Sequence, residues 1–312
     1  DDEKNDSKSG GRGMNRSGSI FWTVIAMVSL GGCESVYPNQ ANLQVVQGIQ
    51  VELSKADRHA ALISRAALEA PTLVRIADDS MEDARNAVKP LDVMRSKLLG
   101  AEASLLLANA PITANIQGWL LAQGANSVWE YSERLGNQAA ELCADDTMLE
   151  ADAKRDCSKA RLYRDTARIE LLASSLTEIA APDAPAEETW VKANGLVEQI
   201  GAHISQSWME GPAIAEVSEQ RLRKAYFTPL LCNLEMDVTS LIQTAVPEDL
   251  VDIKRTFNAN GRQAIASGAA VISDLEDNAS EQPVCNGSPT CAYEAVRKTC
   301  NLWRGLQVPA AG

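Results

Sequence analysis

Apolar residues recur along this chain at three- and four-residue spacing, and this periodicity limits its fold more than any other feature. The clearest stripe comprises Leu162, Ile169, Leu172, Leu176 and Ile179. A second comprises Leu250, Ile253, Phe257, Ile265, Ile272 and Leu275, and a third runs from Ile214 through Leu230, Leu234, Val238 and Ile242. Such stripes each bury one face of a helix against a neighbour. The sequence therefore predicts an all-α fold, an antiparallel bundle of about seven helices.

Local signals place the helix boundaries. Thr147 and Glu150 have capping-box spacing, which predicts a helix from near Met148 to about Ala180. Ser80 with Asp83 is a weaker cap signal. Prolines remove a backbone donor and are expected to interrupt the helices. The predicted breaks are at Pro71, Pro111, Pro182, Pro185, Pro212 and Pro247, with Pro90 as a kink and Tyr226, Phe227 and Pro229 as a bend.

Six cysteines remain in the body once Cys33, discussed below, is set aside. An even number suits disulfide bonds, which form in oxidising compartments. Cys143 with Cys157 and Cys285 with Cys291 are the short-range pairs, which leaves Cys232 with Cys300 by elimination. A cysteine metal site is disfavoured because no Cys-x-x-Cys pair is present. We expect three disulfides and no metal or other cofactor.

The body divides into segments by composition. Residues 181–186 read APDAPA, typical either of an interdomain linker or of a long helix–helix loop. We expect a first helical half at 42–181 and a second at 186–282, two sub-bundles if the linker interpretation holds. Residues 283–312 contain three cysteines and a turn sequence, and are expected to form a disulfide-rich cap that Trp303 anchors to the bundle.

The amino-terminal region has the layout of an export signal. Residues 1–13 precede Met14 and are expected to be a disordered leader or an over-extended gene start. Residues 14–32 combine the positive charge of Arg16 with an apolar run from Ile20 to Leu30. That run is shorter than the roughly 20 residues of a membrane-spanning helix, so cleavage is the better interpretation.

Leu30, Gly31, Gly32 and Cys33 occupy the four positions of a lipobox, so the segment resembles bacterial lipoprotein signals. The resemblance implies cleavage between Gly32 and Cys33, acylation of Cys33 and a location in the bacterial cell envelope. Residues 33–41 would be a tether, and the body would lie in the periplasm or at the cell surface. Glu34 is acidic, a feature linked to inner-membrane retention, so the outer membrane is favoured only moderately.

The net charge is −13, and residues 1–32 contribute equal numbers of acidic and basic side chains to it. A phosphate backbone would be repelled by such a chain, so nucleic acid is not an expected partner. The expected partners are the membrane, through the lipid, and an envelope protein. An acidic surface that serves only solubility is the simpler interpretation of the charge.

Sequence signatures of catalysis are few. The chain has two histidines, and no nucleophile elbow, phosphate-binding loop or dinucleotide fingerprint. Residues 201–206, GAHISQ, weakly resemble the Gly-x-His-x-x-Glu motif of imelysin-like proteins, which are exported helical bundles. The resemblance implies a candidate ligand site at His203 and Gln206. Gln206 replaces the glutamate, which removes the carboxylate that a metal would use.

Two further groups of residues have both a structural and a functional interpretation. Acidic pairs at 78–79, 82–83, 145–146, 187–188 and 248–249 are expected at helix starts, where they complement the helix dipole, rather than in a metal site. Trp119, Trp129 and Tyr131 are expected to be core anchors, with an aromatic groove as the alternative.

The sequence thus predicts a lipid-anchored, non-enzymatic module that binds or scaffolds a protein partner. The first alternative is an imelysin-like or other bundle that binds a small ligand or metal. An enzyme of unfamiliar type is the second, and it would require a pocket where perturbed carboxyl groups converge.

Overall fold

Residues 38–143, 151–180, 187–208, 226–269, 285 and 288–306 are described by the computed structural model. Within them the chain forms ten α-helices and no strand, which confirms the all-α prediction. The helices are α1 (Gln40–Ser54), α2 (His59–Asn86), α3 (Pro90–Leu107), α4 (Ala114–Ala122), α5 (Val128–Glu141), α6 (Ala151–Ala180), α7 (Glu187–His203), α8 (Thr228–Gln243), α9 (Val251–Ser267) and α10 (Pro289–Trp303). A π-helical turn at Ile204–Trp208 continues α7, and a 3₁₀ turn at Glu248–Leu250 precedes α9.

Helix α6 is the centre of the bundle. It packs against α3 and α5 on the side of the preceding helices, and against α7 and α8 on the side of the following ones. Its predicted stripe is confirmed, because Leu162, Ile169, Leu172 and Leu176 are all buried. Residues from Val36 onward form one compact unit, so the helices before and after residues 181–186 share a core.

Helices α2, α3, α5 and α6 approach each other closely at two glycines. A Cβ on Gly100 of α3 would lie 2.5 Å from the Ser80 Oγ of α2. A Cβ on Gly136 of α5 would lie 2.9 Å from the backbone of Arg164 in α6. A side chain at Gly136 would clash with backbone, whereas one at Gly100 would require the Ser80 and Leu135 side chains to shift.

The proline predictions were partly wrong. Pro71 lies inside α2 and does not break it. Its ring is on the exposed face, as is Ala67, so water can satisfy the carbonyl that the ring leaves without a donor. Pro90 and Pro229 lie in the first turns of α3 and α8, where a missing N–H costs nothing, and neither one kinks a helix. Pro182, Pro185 and Pro212 lie outside the described residues.

Two other boundaries differ from the sequence prediction. Ser80 and Asp83 lie within α2 and cap nothing; Ser80 is buried and donates to the Ala77 carbonyl at 2.8 Å. The predicted tether at residues 33–41 overlaps α1, which already begins at Gln40, where the Asn39 side chain accepts from the Ala41 amide. Helix α6 ends at Ala180 as predicted, while Thr147 and Glu150 lie outside the described residues.

The prediction that acidic pairs lie at helix starts holds for 187–188 and 248–249 and is wrong for α2. There the carboxylates join α2 to its neighbours. Asp78 accepts from the Trp119 indole N–H of α4 at 2.8 Å. Asp79 accepts from Asn42 of α1 at 3.1 Å, and Asp83 accepts from the Asn39 backbone amide at 2.9 Å. Residues 145–146 are not described.

Three disulfides join the cysteine pairs expected from the sequence. Cys143 follows α5 and bonds Cys157 in α6, with 5.7 Å between the Cα atoms. Cys232 of α8 bonds Cys300 of α10, and Cys285 bonds Cys291 at the start of α10. The first links two helices that follow each other along the chain and pack side by side. The second attaches the carboxyl-terminal cap to the body, where Trp303 is buried as predicted.

Candidate functional site

A cavity of about 320 Å³ lies where five helices meet. It is bounded by the starts of α2 and α5, the end of α3, the middle of α6 and the residues around the start of α8. Leucines at positions 62, 105 and 230 form part of its wall. Its polar and aromatic lining residues are His59, Asn109, Trp129, Glu170, Tyr226 and Asn233.

Among the residues that the structure describes, Glu170 is the only carboxylate that lines the cavity. It lies in α6 and is only partly exposed. Burial, and then the nearby carboxylate of Asp237, raises the pKa of Glu170 to about 8. The carboxyl group is therefore mostly protonated at neutral pH and can donate a hydrogen bond as well as accept one.

Asp237 lies in α8 beside Glu170, behind the cavity wall. Its Oδ2 accepts a hydrogen bond from the Thr177 hydroxyl of α6 at 2.9 Å. Burial raises the pKa of Asp237, and that hydrogen bond opposes the increase. The two carboxyl groups disfavour each other's ionisation because like charges repel. This end of the cavity therefore gains negative charge as pH rises and the two carboxyl groups ionise.

His59 is the first residue of α2 and lines the same cavity. Burial, and then the positive charge of Arg304, lowers the pKa of His59. The imidazole is therefore neutral at pH 7 and offers one donor and one acceptor. Arg304 itself is held by Glu235, at 2.6 Å, and by the Cys232 carbonyl, at 2.7 Å.

Two aromatic side chains complete the lining. Trp129 of α5 is partly buried, and Tyr226, just before α8, is buried. The Tyr226 ring packs on the Tyr163 ring of α6 at 5.7 Å between centroids. Burial raises the pKa of the Tyr226 hydroxyl well above its usual value, so it stays protonated. The sequence prediction of core anchors fits Tyr131, which is buried, and Trp119 and Trp129, which are partly buried and pack against the core. Trp129 also lines the cavity.

A second buried carboxyl group, Glu102, lies near the cavity but does not line it. Burial raises its pKa, while the charge of Lys159 and a hydrogen bond with Tyr163 lower it. Tyr163 in turn packs on Tyr226, so Tyr163 connects Glu102 to a residue that lines the cavity. These contacts fix the position of Tyr226 from behind.

The site predicted from the sequence lies elsewhere. His203 ends α7 and is partly exposed, and Gln206 is exposed in the π-helical turn. A groove of about 280 Å³ between α7 and α9 is lined by Gly201, Ala202 and Ser205, but by neither His203 nor Gln206. In the described part of the chain, no three His, Cys, Asp or Glu side chains come together as a metal site would require.

The other predicted site residues, Gly32 and Cys33, lie outside the described residues. Among the helices that are described, none is both long and apolar enough to cross a membrane.

Sequence reasoning missed the cavity because its lining comes from separate helices, with residues as distant as 59 and 233. The sole local signal was Trp129, which was interpreted mainly as core. Comparisons with protein-family models, with curated proteins and with solved structures found no match to this chain. Fold and site together define a disulfide-bonded helical bundle with a partly open cavity lined by both polar and apolar side chains.

Proposed function

We propose that this protein is a lipid-anchored lipoprotein of the bacterial envelope whose helical body binds a small molecule in the cavity. One observation carries the choice of ligand: polar groups from five helices converge on a space of about 320 Å³. Small-molecule sites have volumes from about 300 Å³ upward and combine an apolar wall with a few polar groups. The cavity meets both criteria.

The proposal assigns binding and not catalysis. His59, Glu170 and the two asparagines offer donors and acceptors that would orient a ligand. Binding needs only these groups.

The lipid anchor and the envelope location rest on the sequence. The lipobox at residues 30–33 supports acylation of Cys33, and three disulfides support an oxidising compartment. The outer membrane stays the favoured membrane. An acidic body with a net charge of −13 supports partners other than nucleic acid.

A protein partner is the second candidate, and exposed apolar side chains favour it. Leu68 of α2 is 79% exposed, and Val88 in the following loop is 93% exposed. Apolar side chains at such exposure lose water contact when a partner covers them. Leu68 lies in the first half of α2 and Val88 beyond its end, so Leu68 and the cavity can each be tested separately.

The experiment compares three forms of the full chain, expressed with its own signal and extracted in mild detergent. Ala108→Phe places a ring in the cavity wall, and Leu68→Glu changes the exposed surface. Native mass spectrometry reports bound small molecules, and proteomics reports co-purifying proteins. We expect a small molecule on the wild type and on L68E, and its loss from A108F.

A stoichiometric protein partner that A108F retains and L68E loses would contradict the proposal and favour the second candidate. Circular dichroism of all three forms controls for folding.

A further inference from the structure

Glu170 has no cationic partner among the residues that the structure describes. No hydrogen bond or ion pair joins it to the described residues, and its main electrostatic neighbour is another carboxylate, Asp237. Ionised carboxylates are costly to bury unless they are paired. Because Glu170 lines the cavity, a cationic ligand bound there can form the ion pair that Glu170 does not form with the described residues.

Aromatic faces in the same cavity favour a particular kind of cation. Trp129 and Tyr226 both line it, and a cation within about 6 Å of an indole or phenol ring is attracted by the ring's negative face. Organic ammonium groups combine that attraction with apolar contact to the leucine wall. A small metal ion would need more ligands than one carboxylate provides.

The remaining charged groups around the site agree with a cationic ligand. Asp237 from α8 adds negative charge beside Glu170. His59 from α2 is neutral, and Arg304 from α10, which lies near His59, is already paired with Glu235. The net charge of −13 attracts cations toward the protein from solution.

From this arrangement we propose that the cavity binds a small organic ammonium cation, with Glu170 as its counter-ion and Trp129 as its aromatic wall. The inference rests on the proposed function and names the chemical class of its ligand.

Binding should be coupled to proton release. Glu170, with a pKa of about 8, is mostly protonated below that pH, and a cation binds the ionised form. Affinity should therefore rise about tenfold per pH unit between about pH 6 and about pH 7.5, then level off above about pH 8. A quaternary ammonium keeps its charge throughout this range, so the pH dependence reports the protein alone.

The experiment is isothermal titration of the full chain in detergent with choline and with its uncharged isostere, in which carbon replaces the quaternary nitrogen. The variants are Glu170→Gln, Trp129→Ala and the control Glu178→Gln. Glu178 is exposed on the same helix and does not line the cavity, so its replacement makes the same chemical change, glutamate to glutamine, away from the site.

We expect choline to bind the wild type and E178Q alike, and to bind E170Q about 10- to 100-fold more weakly. W129A should lose about 2- to 30-fold in affinity. E170Q should also lose the pH dependence.

Equal binding of choline and its isostere would overturn the cationic class while leaving a ligand-binding cavity. A native ligand that co-purifies and proves neutral or anionic would do the same. If neither choline nor its isostere binds and no small molecule co-purifies, the proposed function is contradicted as well.

Discussion

Replacing Glu170 with glutamine should stabilise the folded protein at alkaline pH. The carboxyl group titrates at about 8 in the folded protein and at its ordinary value of 4.5 when the chain unfolds. Between these values the folded protein keeps a proton that the unfolded chain has released. The free energy of unfolding therefore falls as pH rises through this window.

The size of the effect follows from the two pKa values. Each pH unit between 4.5 and about 8 removes about 1.4 kcal/mol, which accumulates to about 5 kcal/mol above pH 8. Relaxation of the side chain toward cavity water would reduce this figure. Glutamine keeps the shape and cannot ionise, so E170Q should lack this contribution at every pH.

The assay is urea unfolding of the wild type and E170Q from about pH 5 to about pH 9 with disulfides intact. We expect similar free energies at pH 5 and a difference of several kcal/mol in favour of E170Q at pH 9. The lowered pKa of His59 reduces the free energy of unfolding as pH falls, but this effect is the same in the wild type and E170Q. Parallel curves would refute the raised pKa, and E178Q should follow the wild type.

The remaining predictions concern packing, the cap and the anchor. Gly136→Ala should destabilise the fold by about 1 to 3 kcal/mol in thermal unfolding because its Cβ meets the α6 backbone, while Gly195→Ala, with nothing within 4 Å, should be neutral or stabilising. A gain of stability in G136A would contradict the close approach of α5 and α6. Removing the Cys232–Cys300 bond opens a 68-residue separation and should cost about 4 kcal/mol in denaturant unfolding. An unchanged midpoint would show that the cap is held by other contacts. Cys33→Ser should abolish acyl mass and release the protein from membranes, and retained lipid would contradict the lipobox interpretation.

Much of the fold could be predicted from the sequence because periodicity and cysteine spacing act locally. The stripe of α6 is buried as expected, and Cys143 and Cys157 are close in sequence. Helix interruptions were harder to predict. Pro71 is tolerated inside α2 because it lies on the exposed face, and the sequence pattern does not give that orientation directly. Short helices such as α4 raised the count from about seven to ten among the described residues.

The cavity could not be predicted because it is a property of packing. His59 and Glu170 have no motif around them, and each could be an ordinary surface residue in isolation. They line one cavity only because α2 and α6 pack together with three other helices in the fold. From the sequence, an enzyme of unfamiliar type would require converging perturbed carboxyl groups; among the described residues, Glu170 is the only carboxyl group that lines the cavity, with Asp237 nearby.

The early start of α1 has a consequence for how the protein would be held at a membrane. Five residues lie between Cys33 and Asn39, whose amide is fixed to Asp83 of α2. The six residue steps from Cys33 to Asn39 span at most about 20 Å when fully extended. An acylated Cys33 would thus keep the Asp83 end of α2 within about two helix diameters of the lipid headgroups. The cavity lies at the opposite end of α2, beside His59, about 36 Å along the helix axis from Asp83, so the tethered end and the ligand site would be separate parts of the body.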